Sequence, residues 1–287
     1  MAEADSQSRP VAVVTDTTSY VPDEILDGLD VRRVALYVGW DGELKPEPDY
    51  TDLPAFYERL RSESRLPTTS QPSVGDFLDV YRPLAEQGND IISIHIAESI
   101  SGTCQSAREA AKVLAEEQHD TRVEVINAST GAGGLGLLVL NAAEAAREGK
   151  GLDEVARSVR SCREGLNIYF CLDTLEFLRR GGRIGAAQAV VGTALKIKPI
   201  LTFGVEIAPV DRVRTASRAY ARMADYLTEM HAAGARTWIV QKIECDGPAE
   251  QMLERGREVY GCEPAFVSEV GPVLGTHLGG GLLVGAC

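Results

Sequence analysis

The sequence has no long apolar segment and no excess of basic charge. No stretch approaches the roughly 18 consecutive apolar residues that mark a membrane-spanning helix. Lysine and arginine total 29 against 42 acidic residues, which gives a formal net charge of −13. The charge balance argues against binding to nucleic acid and to anionic membranes, and the lack of a long apolar run argues against a membrane-spanning segment. Because residues 1–9 are polar and lack the apolar core of a signal peptide, we expect a soluble, cytoplasmic protein.

Several chemical signatures are also missing. None of the six cysteines forms a C-x-x-C pair or has a histidine at metal-ligand spacing, so we predict no metal site. The chain contains no G-x-S-x-G, H-E-x-x-H or P-loop motif. The glycines of residues 131–136 only loosely resemble a dinucleotide fingerprint. We therefore predict that they let a helix approach a sheet closely, and we expect no cofactor.

Apolar runs and amphipathic segments alternate along the chain. In the first half, short apolar runs such as residues 10–15 and 31–40 predict strands of a parallel sheet with helices on both faces. A chain of 287 residues is long enough for two hydrophobic cores. A glycine break at residues 149–151 suggests a boundary nearby. The prediction is an α/β fold with an N-terminal Rossmann-like domain over residues 1–160 and a second α/β domain over residues 161–287.

Two hydroxyl-rich segments precede predicted helices. Residues 67–73 place hydroxyls and an amide between two prolines, and residues 99–103 contain a second cluster in which Ser101 is expected to cap a helix. Helix N-termini attract anions, and a neighbouring hydroxyl adds a neutral donor. The two segments therefore predict the polar end of a pocket for a carboxylate. The alternative is that each hydroxyl only caps its own helix.

His277 is the most informative of the four histidines, because it sits among glycines in a segment that looks too small-sided for a core. A histidine placed in this way can donate a hydrogen bond or act as an acid or base, although a solvent-facing turn is the alternative. His95 lies in an apolar strand and is predicted to be a core residue, whereas His119 and His231 are predicted at the surface. A hydrolase built on Ser101, His277 and Asp16 remains open, since sequence does not show whether they are close.

Other side chains are assigned to a partner surface and to an apolar slot. Arg183 follows a double glycine and is a candidate for pairing with a phosphate or a partner's carboxylate, or is an ordinary helix-end charge. The apolar slot is a proposed pocket for a ligand, and its residues could equally belong to the second hydrophobic core. Its proposed residues are Phe170, Leu172, Phe177, Ile184, Val190, Leu195 and Ile200.

Six motifs in the same order together resemble the DegV family of bacterial fatty-acid-binding proteins. They are Thr15-Asp16-Thr17-Thr18 with Val21-Pro22, Pro67-Thr68-Thr69-Ser70-Gln71-Pro72-Ser73, Ser101-Gly102-Thr103 with Gln105-Ser106, Asp173-Thr174-Leu175-Glu176 with Gly181-Gly182-Arg183-Ile184, Lys198-Pro199-Ile200-Leu201, and Gly275-Thr276-His277. The resemblance implies two α/β domains with one long-chain fatty acid, such as palmitate, buried between them.

The resemblance also implies roles for individual residues. The carboxylate is expected to meet Thr69 and Ser101, with His277 in the same hydrogen-bond network. The supporting residues are expected to be Ser70, Gly102, Thr103 and Thr17. The protein, expected to be a monomer without catalytic residues, would present the acid to a fatty acid kinase for conversion to an acyl phosphate used in phospholipid synthesis. The kinase contacts would be Arg183, Arg212 and Arg214. The alternatives are an acyl hydrolase or transferase that uses Ser101 and His277, and a binder of another small carboxylate or phosphate.

Overall fold

The computed structural model describes residues 9–117, 120–190 and 197–287, and only the backbone of Val190. His119, Leu195 and the side chain of Val190, all named in the predictions above, lie outside this description. The strands are β1 Val11–Asp16, β2 Val31–Val34, β3 Tyr37–Gly39, β4 Lys45–Pro46, β5 Thr68–Ser70, β6 Asp90–His95, β7 Val123–Asn127, β8 Asn167–Leu172, β9 Lys198–Phe203, β10 Ile207–Val213, β11 Trp238–Ile243, β12 Phe266–Glu269 and β13 Gly281–Ala286. The helices are α1 Asp23–Leu26, α2 Leu53–Ser62, α3 Val74–Glu86, α4 Thr103–Glu116, α5 Gly133–Arg147, α6 Leu152–Gly165, α7 Glu176–Arg180, α8 Ala216–Ala232, α9 Asp246–Tyr260 and α10 Pro272–Leu278.

The N-terminal sheet has the strand order β2-β1-β6-β7, and every pair in it is parallel. Its central strands β1 and β6 are buried along their whole length, as expected for apolar strands covered on both faces. Helices α3 and α4 pack on one face of this sheet, and α5 and α6 pack on the other. The predicted parallel sheet with helices on both faces is confirmed.

The second sheet has the strand order β10-β9-β8-β13-β11-β12 and is mixed, since only β11 and β12 pair in parallel. Helices α8 and α9 cover one face, and α5 lies against the other. A methyl group on Gly133 would overlap Ile239 of β11, and one on Gly136 would overlap Phe266 of β12. The predicted close approach of this helix to a sheet is therefore confirmed, and α5 lies between the two sheets.

One predicted strand, residues 31–40, is wrong because the structure divides it. Strand β2 ends at Val34, and β3 belongs to a separate antiparallel sheet of order β4-β3-β5. Strand β5 falls inside the segment predicted as a loop, where Thr69 pairs with Val38. The hydroxyl segment is thus held in part by sheet hydrogen bonds, which fix the backbone of Thr69.

The glycine-rich segment before β13 was expected to be too small-sided for a core, and this expectation is wrong. Residues of α10 other than His277 are buried. The glycines admit neighbouring aromatic rings, because a methyl group on Gly271 would meet Tyr20 and one on Gly275 would overlap Tyr57. Small residues here therefore indicate tight packing of a helix rather than an open loop.

The two larger sheets fall on either side of the predicted boundary near residue 160, since β7 ends at Asn127 and β8 begins at Asn167. None of the helices in the described part of the chain is long and apolar enough to cross a membrane.

Candidate functional site

A cavity of about 230 Å³ lies between the N-terminal and the mixed sheet. Its apolar wall comes from both halves of the chain: Leu36, Ile96, Ile100, Ile168, Phe170, Leu178, Phe203, Ile207, Val273, Leu274, Leu278 and Leu283. Its polar side chains are Thr69, Ser70, Gln71, Ser101, Arg183 and His277. All three residues predicted to hold a carboxylate therefore line one cavity.

His277 projects from α10 towards β5, where its Nε2 lies 3.0 Å from the Thr69 hydroxyl oxygen. Its Nδ1 has no hydrogen-bond partner among the described residues and faces Gly181, where a methyl group would overlap it. Burial and the neighbouring Arg183 guanidinium lower the pKa of His277 to about 4. The imidazole is therefore neutral at physiological pH when the cavity holds no anion.

Ser101 was predicted to cap helix α4, and this is wrong. The N-cap residue is Gly102, and no side chain accepts a hydrogen bond at this cap. The Ser101 hydroxyl instead lies 2.8 Å from the hydroxyl of Thr103, the first residue of the helix. The Gln71 side chain covers Gly102, and its amide nitrogen donates to the Ser106 hydroxyl at 3.1 Å. Both hydroxyl segments therefore meet at this end of the cavity.

Arg183 lies at the exposed edge of the same group of residues. Its guanidinium donates to the carbonyl oxygens of Gly181 at 2.7 Å and Ile100 at 3.3 Å. Arg212 and Arg214 are exposed on and just after strand β10. Within the described residues, no carboxylate forms an ion pair with any of these three arginines.

The remaining predicted residues are only partly brought together. Phe170 and Ser70 line the cavity, whereas Leu172 and Ile184 pack in the adjoining core. Phe177 faces Gly279 beside a different cavity, which Tyr57 also lines. Thr17 is buried outside the cavity, where its hydroxyl accepts from the Leu36 amide at 3.2 Å.

The prediction of Ile200 as a wall residue is wrong, because this side chain lies on the far face of the mixed sheet with α8 and α9. Alternation along a strand explains the error. In β9, Phe203 faces the cavity and Ile200 points to the opposite side. In β8, Ile168 lies two residues before Phe170 and therefore on the same face of the strand. The sequence analysis did not name Ile168 as a wall residue, although this spacing could have identified it.

The Ser101–His277–Asp16 combination is not assembled. Asp16 accepts instead from His95 Nδ1 at 3.0 Å and from the Ile96 amide at 3.0 Å, in the core of the N-terminal sheet. His95 is fully buried, which confirms its prediction as a core residue. His231 is partly buried, with its ring 4.8 Å from that of Tyr260.

Comparisons with known proteins cover nearly the whole chain. A family model described as uncharacterised protein, DegV family, matches residues 10–285. A DegV domain-containing protein of Streptomyces coelicolor is 38% identical over 280 residues, or 96% of this chain and 97% of that protein.

Two solved structures are also similar to this chain. The structure of DegV from Bacillus subtilis, described as a fatty acid binding protein, matches with a TM-score of 0.86 and 32% identity, covering 97% of this chain and 99% of that one. A DegV family protein from Thermus thermophilus, described by its fatty acid binding, matches with a TM-score of 0.86 and 31% identity, covering 96% and 99% of the two chains.

Proposed function

The chain belongs to the DegV family, and we propose that it binds one long-chain fatty acid, such as palmitate, in the cavity between its two larger sheets. The observation that carries this proposal is the meeting of Thr69, Ser101 and His277 at a cavity whose other walls are largely apolar. The fatty acid binding described for the Bacillus subtilis and Thermus thermophilus relatives supports the same ligand class.

The carboxylate of the ligand would be held mainly by neutral donors. When His277 carries its proton on Nε2, it donates to Thr69 and leaves the threonine hydroxyl hydrogen free for the ligand. Ser101 offers a second hydroxyl. Hydrogen bonds from neutral groups hold the carboxylate without enclosing it in a fully buried ion pair, whose desolvation would be costly.

The alkyl chain would supply most of the binding free energy. Burial of a methylene group is worth about 0.8 kcal/mol, so a 16-carbon acid gains on the order of 10 kcal/mol before ordering costs. Ile168, Phe170 and Leu283 of the mixed sheet provide the apolar surface for this burial. Ligand chain length would therefore affect affinity more than any single polar contact.

We further propose that the protein presents this acid to a separate fatty acid kinase and does not itself catalyse a reaction. Arg183 lies both at the cavity and at the surface, so a partner that contacts it would come close to the carboxylate. Arg212 and Arg214 would extend this basic contact. The arrangement does not favour the hydrolase alternative. Asp16, the acid that would complete the combination with Ser101 and His277, pairs instead with His95.

Solvent extraction of the purified protein followed by mass spectrometry tests the ligand. We expect about one long-chain fatty acid per chain, and lower occupancy in Thr69→Val and Ser101→Ala. Thr202→Val is a matched control, because its hydroxyl donates to the Ile168 carbonyl and does not line the cavity. A delipidated protein with no affinity for any long-chain acid would contradict the proposal.

The kinase role has a separate test. Protein loaded with radiolabelled palmitate is incubated with ATP and a purified fatty acid kinase, and acyl phosphate is trapped with hydroxylamine. Compared at equal palmitate occupancy, we expect Arg183→Ala to lower the rate of acyl phosphate formation, and we expect Arg212→Ala/Arg214→Ala, whose side chains do not line the cavity, to lower it as well. An unchanged rate in Arg183→Ala and in Arg212→Ala/Arg214→Ala would exclude these arginines as the kinase contact. Ester hydrolysis that disappears in Ser101→Ala would favour the enzyme alternative.

A further inference from the structure

Helix α10 is short, yet it supplies four of the residues that line the cavity: Val273, Leu274, His277 and Leu278. The position of this helix therefore determines where His277 lies at the polar end of the cavity and where part of the apolar wall lies. A helix of seven residues is too short to be stable by itself, so contacts with other elements must hold it in place.

Glu47 is the acid that reaches the start of this helix. It opens the turn Glu47–Asp49, and its side chain is only 5% exposed. Its Oε1 accepts from the Val273 amide at 2.8 Å and from the Tyr20 hydroxyl at 2.8 Å. The Tyr20 oxygen in turn accepts from the Leu274 amide at 3.1 Å. One carboxyl group and one phenol thus satisfy two backbone amides of α10 that have no partner within the helix.

The surrounding residues are shaped to allow these contacts. A methyl group on Gly271 would collide with both Tyr20 and Glu47, so glycine is required at the helix entry. The Glu47 amide donates to the Leu36 carbonyl at 2.8 Å, which ties the acid to a residue of the cavity wall. The Tyr57 hydroxyl of α2 donates to the carbonyl oxygen of Val270 at 2.7 Å. This bond holds the chain just before α10 begins.

We propose that Glu47 is a positioning residue of the fatty-acid site, which anchors α10 and thereby controls how long the ligand is retained. This inference rests on the proposed function. Glu47 does not line the cavity, so its effect would pass through the helix and through His277 at the helix's far end.

The ionisation of Glu47 gives the proposal a distinctive signature. Burial, reinforced slightly by Asp16, raises the pKa of Glu47 to about 7, and the Thr17 hydroxyl, the Val273 amide and the Tyr20 hydroxyl lower it only in part. A carboxyl group whose pKa is higher in the docked state favours docking when protonated. Anchoring of α10 should therefore weaken as pH rises through 7.

Among the described residues, the titratable groups that face Glu47 are Asp16 of β1, Tyr20 of the turn after β1, and Tyr57 of α2. Burial raises the pKa of both tyrosines well above their ordinary value, so both stay neutral in this range. His277, at the other end of α10, has a pKa of about 4 and is neutral between pH 6 and 8.5. A change in retention over this range can therefore be assigned to Glu47 by substituting it.

Release of radiolabelled palmitate from the loaded protein to phosphatidylcholine vesicles measures retention, and amide exchange at Val273 and Leu274 measures anchoring. Glu47→Ala removes the acceptor, and we expect release to accelerate roughly tenfold with faster exchange at both amides. Tyr20→Phe, which keeps the ring, should accelerate release by a smaller factor. Asp90→Ala is the matched control, because this buried acid accepts the Arg122 amide at 3.0 Å outside the cavity wall.

Glu47→Gln keeps an acceptor and cannot ionise. In the wild-type protein we expect release to accelerate as pH rises from 6 to 8.5, whereas in Glu47→Gln it should stay flat and close to the wild-type rate at pH 6. Folded Glu47→Ala that releases palmitate at the wild-type rate, or a pH dependence that persists in Glu47→Gln, would overturn the inference. A wild-type protein that never retains palmitate would instead refute the proposed function, while exchange at Val273 and Leu274 would still report whether Glu47 anchors α10.

Discussion

His95 and His277 occupy two regions of the molecule that differ in how completely their polar groups are paired. His95 lies in the core of the N-terminal sheet, with Asp16 on one ring nitrogen and the Ser93 hydroxyl, 2.6 Å away, on the other. The Tyr81 hydroxyl donates to Ser93 at 2.7 Å and extends the network. Among the described residues, His277 has only Thr69 as a partner, on one ring nitrogen, and the side chains around it line a cavity. A closed network of this kind stabilises a fold, whereas an open one beside a cavity has capacity left for a ligand.

The largest effect should be a loss of stability when the buried acceptor Asp16 is removed from the network around His95. Asp16 accepts from the Thr18 amide and hydroxyl, from His95 and from the Ile96 amide, all of them buried. Asp16→Ala leaves these donors without an acceptor, so we expect a loss of about 3–5 kcal/mol in the free energy of unfolding. Denaturant titration of the delipidated protein measures it. A loss below about 1 kcal/mol would mean that the network is not structural.

The matching change at the open site should affect binding rather than stability. His277→Phe keeps a ring on α10 and removes Nε2 from Thr69. We expect palmitate affinity to fall about tenfold, because the Thr69 hydroxyl loses the partner that leaves its hydrogen free for the ligand's carboxylate. The free energy of unfolding without ligand should change by no more than about 1 kcal/mol. The comparison between the two histidines fails if the variant unfolds readily and binds palmitate normally.

A smaller effect is expected from filling the space beside His277. Gly181→Ala would place a methyl group against Nδ1 and displace the imidazole from Thr69. Overpacking costs about 1 kcal/mol or more, which corresponds to roughly a fivefold loss of palmitate affinity in calorimetric titration. Gly165→Ala is a suitable control, since no other atom lies near the added methyl group. Equal affinities in the two variants would show that His277 is not held by this contact.

The remaining effect is a pH dependence of stability. The pKa of His277 falls from its ordinary 6.5 to about 4 in the folded protein, so the unfolded chain binds more protons between these values. The contribution of His277 is therefore fully present above pH 6.5 and is lost as pH falls towards 4. The free energy of unfolding of delipidated His277→Phe should rise less with pH in this window than that of the wild-type protein. Identical slopes would place His277 in a more hydrated setting.

Much of the fold could be predicted from local patterns. The apolar runs that became β1 and β6 and the Ser73–Asp76 capping box that begins α3 each depend on neighbouring residues alone. The division of residues 31–40 between two sheets could not be predicted, because it depends on pairing with β5 some thirty residues later. Helix α10 was missed for a related reason. Its glycines resemble a loop until Tyr20 and Tyr57, from distant parts of the chain, occupy the space beside them.

The candidate site could likewise be predicted only in part. The motifs that resemble the DegV family were sufficient to predict that Thr69, Ser101 and His277 lie together, and all three line the cavity. The cavity wall was predicted less well, because which face of a strand points inward depends on the helices that cover the sheet. Phe170 was identified and Ile200 was misplaced for this reason. Glu47 had no recognisable signal, since an acid near prolines in a sequence gives no indication of burial.

A crystal structure of the protein loaded with palmitate tests the central claim most directly. The account predicts one palmitate between the two larger sheets, with its carboxylate about 3 Å from the Thr69 hydroxyl, the Ser101 hydroxyl or His277 Nε2. Its alkyl chain should run along Ile168, Phe170 and Leu283. A carboxylate at the opposite end of the cavity, or a palmitate bound elsewhere with Thr69 and His277 unchanged, would contradict the account.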